Sequence, residues 1–314
     1  MRTLGPPCGK IAVMDVGAVV LHYRFWPQIG AALDALQAQE PPPARIVVVD
    51  NASGDGSAEQ IAAAYPAVQL LVADRNRGYA AGMNLAATQL RECGAYLFLT
   101  HECTLDRGAL HALVEELEAT PDAAACAPLL GWASDRRRVW SAGGGFGRRT
   151  GRTFHRQDPP QLAEWSGKAP MDVDWADGAA LLVRADDFAA VGGFDERYFL
   201  YDEEVDLALR LRGRDRRIRL VPAARAWQEP GMAPPYLQMR NRVILIVRHA
   251  GLRRFAPAVL VEVFLDLGRV ILRRRSDLGS SVARLRLVGA WHGLTGRLDR
   301  QRASSRPTRA DSSS

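Results

Sequence analysis

Four carboxylates occupy five positions in Asp202-Glu203-Glu204-Val205-Asp206. Acids at the start of a helix complement its macrodipole, and Asp206 with Arg210 makes an ordinary i,i+4 pair. That accounts for one or two of them. It accounts less well for four, because adjacent carboxylates repel and raise one another's pKa. A carboxylate tuned upward is a general base, able to take the proton of a hydroxyl as that hydroxyl becomes a nucleophile.

Three further polar clusters each end an apolar run. Asp50-Asn51 follows Val47–Val49 in VVVDNASGDGS, DRNRGYAAGMN (74–84) follows Val72, and Thr100-His101-Glu102 follows Leu99. Asp and Asn make turns by bonding their own backbone, so any one cluster reads as a turn. Three in succession at strand ends read as a ligand cradle, because open α/β sheets bind ligands outside the carboxyl ends of their strands. Gly78 and Gly82 permit close backbone approach to a ligand. Arg75 and Arg77 offer guanidinium forks to phosphate, with a solvated loop and helix cap as the alternative. Neither Walker A nor GxGxxG is present, so the common phosphate and dinucleotide loops are not supported.

The elements that must position these residues alternate. Strands are expected at 16–23, 45–50, 68–73, 96–100 and 123–129, and helices at 27–39, 57–65, 80–93 and 105–119. This is the pattern of βαβ units and a largely parallel sheet. Residues 131–170, rich in Gly, Arg, Ser and Pro, read as a long loop or irregular hairpin. Strand character resumes at 173–184, and 203–212 is a helix. Beyond Pro234 the chain reads as helical to about residue 300, followed by a Ser/Arg-rich tail at 301–314 expected to be disordered. Segment 258–275 is apolar but carries Glu262, Asp266 and Arg269 and ends in Arg273–Arg275. It reads as a core helix pair, an interfacial helix on an anionic membrane, or a dimer contact.

Composition narrows the class. The 314 residues suffice for one large α/β domain or two small ones. Net charge is +6, and all basic residues but Lys10 and Lys168 are arginine, a bias of coding composition rather than a nucleic-acid signature. A basic surface favours anionic partners such as nucleotide phosphates. Nucleic acid is not expected, since aromatic interleaving and known motifs are missing. Cys8, Cys93, Cys103 and Cys126 show no CxxC spacing, which speaks against zinc or a disulfide framework and for a reducing compartment. No signal-peptide pattern and no uncharged span of about 20 apolar residues occurs. The expected location is cytoplasmic, with peripheral attachment to the inner face of the plasma membrane left open. His22, His111, His155, His249 and His292 read as surface or packing residues. Trp140 and Trp175 are core or substrate-wall aromatics.

With these stretches in hand, the chain resembles the family 2 glycosyltransferases of GT-A fold, in particular a bacterial rhamnosyltransferase-like branch. The resemblance covers about residues 16–250. VVVDNASGDGS, DRNRGYAAGMN, LFLTHE, VWSAGG (139–144), WADGAALLVRADDFAAVGGFDERYFLYDEEVDLALR and Arg240-Asn241 carry it, in that order. It implies a GT-A domain at 16–230 between an N-terminal extension (1–15) and a helical region (231–300). It further implies inverting transfer from a nucleotide diphosphate sugar, dTDP-rhamnose for this branch, to a cell-envelope glycan or lipid-linked acceptor, assisted by Mg²⁺ or Mn²⁺.

Carried over by position, Asp50, Asn51, Ser53, Asp55 and Thr100 resemble nucleotide contacts, and Asn76, Gly78 and Asn84 resemble the second nucleotide-sugar loop. Glu204 resembles the base, with Glu203 and Asp177 beside it. Trp175, Gly178, Arg240 and Asn241 resemble the acceptor side. Glu102 stands last in a metal motif that usually holds a second acid, and Gln228 stands where the family often has histidine. These two departures keep an alternative open, a catalytically weak nucleotide-sugar or partner-binding module.

Overall fold

A β-branched run buried on both sides must send alternate side chains to opposite faces. Strands β1 (Val16–His22), β2 (Arg45–Asp50) and β4 (Ala95–Thr100) do so. Val19, Val47, Val49 and Phe98 join the core on one face, and Val20, Val48, Leu97 and Leu99 that on the other. Helix α1 (Trp26–Gln37) lays Ile29, Leu33 and Leu36 on the second face. Helices α2 (Ser57–Ala64) and α3 (Gly78–Ala87) make the next crossovers, around β3 (Gln69–Val72). The computed structural model describes residues 14–147, 152–229, 231, 233–251, 268 and 277–299.

The remaining strands are β5 (Thr104–Leu105), β6 (Ala123–Trp132), β7 (Val139–Ser141), the hairpin β8 (Gly144–Gly147) and β9 (Arg152–His155), β10 (Met171–Val173), β11 (Ala180–Arg184) and β12 (Arg217–Gln228). Helices α4 (Ala109–Ala119), α5 (Ala185–Ala190), α6 (Glu203–Arg212), α7 (Pro235–His249) and α8 (Asp277–Thr295) complete the described elements. The main sheet runs β10-β12-β6-β11-β4-β1-β2-β3. β1 pairs in parallel with β2 and β4, whereas β11 is antiparallel to β4 and β6. From β1 the chain winds one way through β2 and β3, then crosses back so that β4 lies on the other side. The crevice at such a reversal, outside the carboxyl ends of β1 and β4, is where this architecture binds ligands.

Several boundaries differ from expectation. Helix α3 begins at Gly78 and ends at Ala87, and 88–93 turn back through a Cys93 N–H to Leu90 carbonyl bond. Residues 104–105 pair with β12 instead of opening a helix. The strand expected over 173–184 is interrupted, and the break carries Asp177. Strand β12 is hard to read because the alternation of Arg217-Ile218-Arg219-Leu220 is lost over 221–225, where Pro222 stands and the register shifts. Arg217 and Arg219 are held by Asp172, and Arg219 by Glu116 as well. The expected hairpin in 131–170 is present as β8–β9. Helices α7 and α8 pack on each other. No helix among the described residues is long and apolar enough to cross a membrane. Segment 258–275, apart from residue 268, and the tail 301–314 lie outside the described residues.

Candidate active site

The strand register sets His22 opposite Asp50 and Leu21 opposite Thr100, bringing three polar ends together at the crevice. Asp50 is buried and accepts from the Ser53 hydroxyl and backbone N–H. Ser53 Oγ also accepts from the Arg24 N–H at 2.8 Å. This fixes the carboxylate while leaving lone pairs free for a ligand. Asn51 spends both amide donors on Asn76 Oδ1 and the Gly78 carbonyl (3.1 Å each), and its Oδ1 accepts from the Arg77 N–H at 2.8 Å. It therefore clasps the first loop to the second. Asn76 Oδ1 also accepts from the Gly78 N–H. Asp55 is exposed and accepts from Ser57 N–H and Oγ–H at the start of α2, bonds that hold its pKa low. Buried His22 reaches Ser57 Oγ at 2.9 Å and faces the His101 ring at 5.1 Å. Burial drives its pKa down to about 4, so it is neutral at physiological pH. The Thr100 hydroxyl and His22 Nδ1 are buried without a protein partner at this spot.

The acids lie at the start of α6. Glu203 is 3% exposed and its Oε2 has no partner, whereas Glu204 is half-buried. Burial, then the charges of Asp202 and Asp177, push Glu203 up to about 8. Burial and Glu203 raise Glu204 well above the usual range. Burial also lifts Asp202 to about 6. A Cβ on Gly178 would stand 3.3 Å from the Glu204 Cβ and 3.2 Å from Tyr79 Oη, so the Asp177-Gly178 break lies directly against Glu204. Tyr79 Oη donates to the Gly178 carbonyl at 2.6 Å. Burial and the charges of Glu203, Glu204 and Asp177 keep that phenol protonated. Nothing in the residue types of 74–84 singles out Tyr79. It is the bond that ties the second nucleotide loop to the acceptor-side loop.

The sequence and the fold that carry this crevice have counterparts among known proteins. Residues 18–176, half of the chain, match the model of glycosyl transferase family 2. The chain is a family 2 glycosyltransferase. An N-acetylglucosaminyl-diphospho-decaprenol L-rhamnosyltransferase of Mycobacterium tuberculosis is 30% identical over 217 residues, 62% of this chain and 69% of that one. Rhamnosyltransferase WbbL of Escherichia coli K12 is 50% identical over 54 residues, 17% of this chain and 20% of that protein. The crystal structure of GalNAc-T7 with UDP, GalNAc and Mn²⁺ superposes with a TM-score of 0.61 at 12% identity. That match covers 91% of this chain and 57% of the other, and it speaks to the fold alone.

Other expected residues of the transferase serve its frame. Asn84 donates to the Phe194 carbonyl and Glu196 and accepts from the Phe194 N–H, so its amide is spent on the 194–196 turn and not on a nucleotide. Trp175 is 2% exposed and donates to the Gly145 carbonyl, which makes it core. Arg240 and Asn241 are fully buried in α7 rather than on an acceptor surface. Asn241 Nδ2 donates to the Leu200 and Tyr201 carbonyls, both at 2.8 Å. It thereby holds a turn in which Phe199, Tyr201 and Asp202 all have left-handed backbones. Asp206, fully buried, accepts from Arg210 (2.7 Å) and bonds His249 Nε2 (2.8 Å), fastening α6 to the end of α7. His249 is thus a structural partner of α6. Arg75 and Arg77 pair with Asp74 on the surface.

The metal residues were tested by position. β5 pairs with β12 so that Thr104 faces Trp227, which brings Glu102 and Gln228 to one edge of the crevice. Glu102 is near His101 Nε2 (3.4 Å), and Gln228 is 5% exposed. Among the described residues no group of three His, Cys, Asp or Glu is placed to hold an ion. One carboxylate and one amide oxygen fit a hard cation that draws most of its shell from phosphate and water.

The raised acids make stability depend on pH. A carboxyl whose folded pKa lies above its unfolded value binds protons that unfolding releases. Its stabilisation is full below the usual carboxylate range and is lost as pH rises through about 8, the value for Glu203. The melting temperature is expected to fall from pH 5 to pH 8.5, and Glu203→Gln is expected to flatten that slope by a few degrees. About 2–4 °C corresponds to each kcal/mol in domains somewhat smaller than this chain. Calorimetric scans across that range check it. A wild-type Tm independent of pH would show that these acids are not raised.

Proposed function

We propose that this glycosyltransferase moves a sugar, with rhamnose from dTDP-rhamnose as the leading donor, to a glycan or lipid-linked acceptor with inversion at the anomeric carbon. One observation carries the reading. The half-buried Glu204, with a raised pKa, stands against Gly178 beside a crevice whose Asp50, Thr100 and His22 keep open bonding capacity. The acceptor hydroxyl oxygen attacks the anomeric carbon, and its proton passes to the Glu204 carboxylate. The new glycosidic bond forms as the bond to the phosphate oxygen breaks, and that electron pair leaves with the nucleotide diphosphate. The relatives' names, with rhamnose and a diphospho-decaprenol sugar, support this donor and acceptor class.

Glu102 and Gln228 would hold Mg²⁺ or Mn²⁺. When bound, the ion neutralises charge on the leaving diphosphate. The GalNAc-T7 structure, of the same fold and solved with Mn²⁺, supports a divalent ion but not the choice of these two residues. A lipid-linked acceptor places the reaction at a membrane face, for which the inner face of the plasma membrane is the reading.

Calorimetry and turnover with dTDP-rhamnose, UDP-GlcNAc and GDP-mannose test the assignment. One nucleotide sugar, expected to be dTDP-rhamnose, should bind and turn over, with activity dependent on added Mg²⁺ or Mn²⁺. Asp50→Ala should weaken nucleotide binding by about 10–100-fold, the equivalent of a lost charged hydrogen bond of about 1.5–3 kcal/mol. Unchanged affinity in the folded variant would return the first loop to a plain turn. No turnover of any donor with any glycan or prenyl-diphosphate sugar acceptor would overturn the reading.

A further inference from the structure

The VWSAGG stretch has no part in the chemistry so far, yet its Trp140 stands within a chain of aromatic rings and bonds Asp177. Trp132 at the end of β6 meets Trp140 of β7 at 5.1 Å and 79°. Trp140 lies 5.0 Å from the His155 ring, and His155 lies 4.8 Å from Trp175. Burial is graded along the chain. Trp175 is core, Trp132 and Trp140 are half-buried, and the His155 side chain is 33% exposed.

The polar edges converge on one carboxylate. Trp140 Nε1 donates to Asp177 Oδ2 at 3.2 Å, and His155 Nδ1 is 4.0 Å from the same oxygen and 3.1 Å from Ser141 Oγ. Asp177 Oδ1 accepts from the Ala179 N–H at 2.9 Å. Each carboxylate oxygen still has a lone pair free. Half-exposed aromatic rings beside a carboxylate match a pyranose ring, which presents a C–H face to one and a hydroxyl to the other.

Sheet order decides whose ring this is. The nucleotide clusters follow β2, β3 and β4, while Trp132 and Trp140 stand on β6 and β7, on the far side of β11, and His155 on β9 of the separate hairpin. Asp177 and Glu204 lie between the two. We propose that Trp132, Trp140 and His155 form a ledge that seats a pyranose ring of the acceptor, with Asp177 accepting one of its hydroxyls. The proposal rests on the sugar-transfer reading and adds which residues recognise the acceptor. Trp140 is a positioning residue for Asp177 as well as part of the ledge.

The test uses the full chain. Tryptophan fluorescence is titrated with methyl N-acetylglucosaminide, calorimetry follows the nucleotide sugar, and steady-state rates follow a short-prenyl diphospho-N-acetylglucosamine acceptor. Trp132→Ala is expected to raise acceptor KM about tenfold or more, while nucleotide-sugar Kd stays within about twofold. Trp132→Tyr should recover most of the loss. Trp140→Phe keeps a ring but frees Asp177, and should lower kcat as well as raise KM.

Loss of nucleotide-sugar affinity equal to the loss for acceptor would assign the ring to the donor and overturn the proposal. Unchanged KM in a variant with wild-type circular dichroism would also overturn it. Failure of the ledge and failure of the transfer reading are distinguishable. Quenching by the glycoside in a chain that transfers no sugar keeps the ledge and removes the transfer. Transfer untouched by Trp132→Ala and Trp140→Phe does the reverse.

Discussion

Glu204→Gln is expected to lower kcat by about 10²–10⁴-fold, the usual range for losing a general base. Glutamine keeps the volume and one hydrogen-bonding oxygen, so nucleotide-sugar affinity should stay within a few-fold. The choice of Glu204 over Glu203 follows from exposure. Glu203 is buried with an orphaned oxygen, whereas Glu204 is half-buried against Gly178. Crowding explains why the base is strong enough. Burial and the neighbouring Glu203 charge hold the Glu204 pKa well above normal, so its carboxylate is more basic than a surface glutamate. The same shift costs population at low pH, since only the ionised form accepts a proton. The wild-type kcat/KM should therefore climb with pH above the usual carboxylate range, and the residual activity of Glu204→Gln should lack that limb. Single-turnover rates with saturating nucleotide sugar measure it. A variant with near-wild-type kcat and the same pH limb would remove Glu204 as the base and leave Asp177 as the next carboxylate to test.

Much of this site was legible because strand ends advertise themselves. An apolar β-branched run stopping in Asp50-Asn51 can be read from residue types alone, and the register then sets it beside His22 and Thr100. Crowding at 202–206 was equally visible, since carboxylate repulsion needs no coordinates to infer. What the residues could not show was how each amide or ring is spent. Asn51 and Asn84 have the same chemistry in sequence, yet one clasps two loops at the crevice and the other closes a turn behind it. Arg240 and Asn241 look like surface ligands until α7 is seen to bury them under the 199–202 turn. His155 and Trp140 depend on a hairpin in an irregular stretch, where no periodicity predicts which rings meet. The long strand β12 was obscured because its alternation is lost over 221–225, where the register shifts.

Gly78→Ala is expected to damage both nucleotide binding and chemistry, because one backbone contact there joins the two halves of the site. Gly78 has φ +81°, and an added Cβ would fall 2.2 Å from the Phe199 carbonyl oxygen. That same oxygen accepts from the Tyr79 N–H at 2.5 Å. Alanine therefore meets a left-handed backbone costing about 1–2 kcal/mol and a clash with backbone that cannot swing aside. Relief requires the second nucleotide loop and the 199–202 turn to move apart. The first carries Asn76, Tyr79 and the Asn51 clasp, and the second leads into Glu203 and Glu204. A displacement of about 1 Å at a reacting group can cost about 10²-fold in rate, so kcat should fall by that order. Nucleotide-sugar Kd should rise as well, through the loosened clasp. The control is Gly108→Ala, since Gly108 has φ +80° at the start of α4 and nothing within 4 Å of its would-be Cβ. Both variants bear the same backbone penalty and should lose a similar first increment of Tm, with Gly78→Ala losing more. Only Gly78→Ala should lose kcat. Equal kcat for the two variants would show that contact between loop and turn is not what holds Glu204 in place, and would shift that role to Asn241 and its two carbonyl bonds.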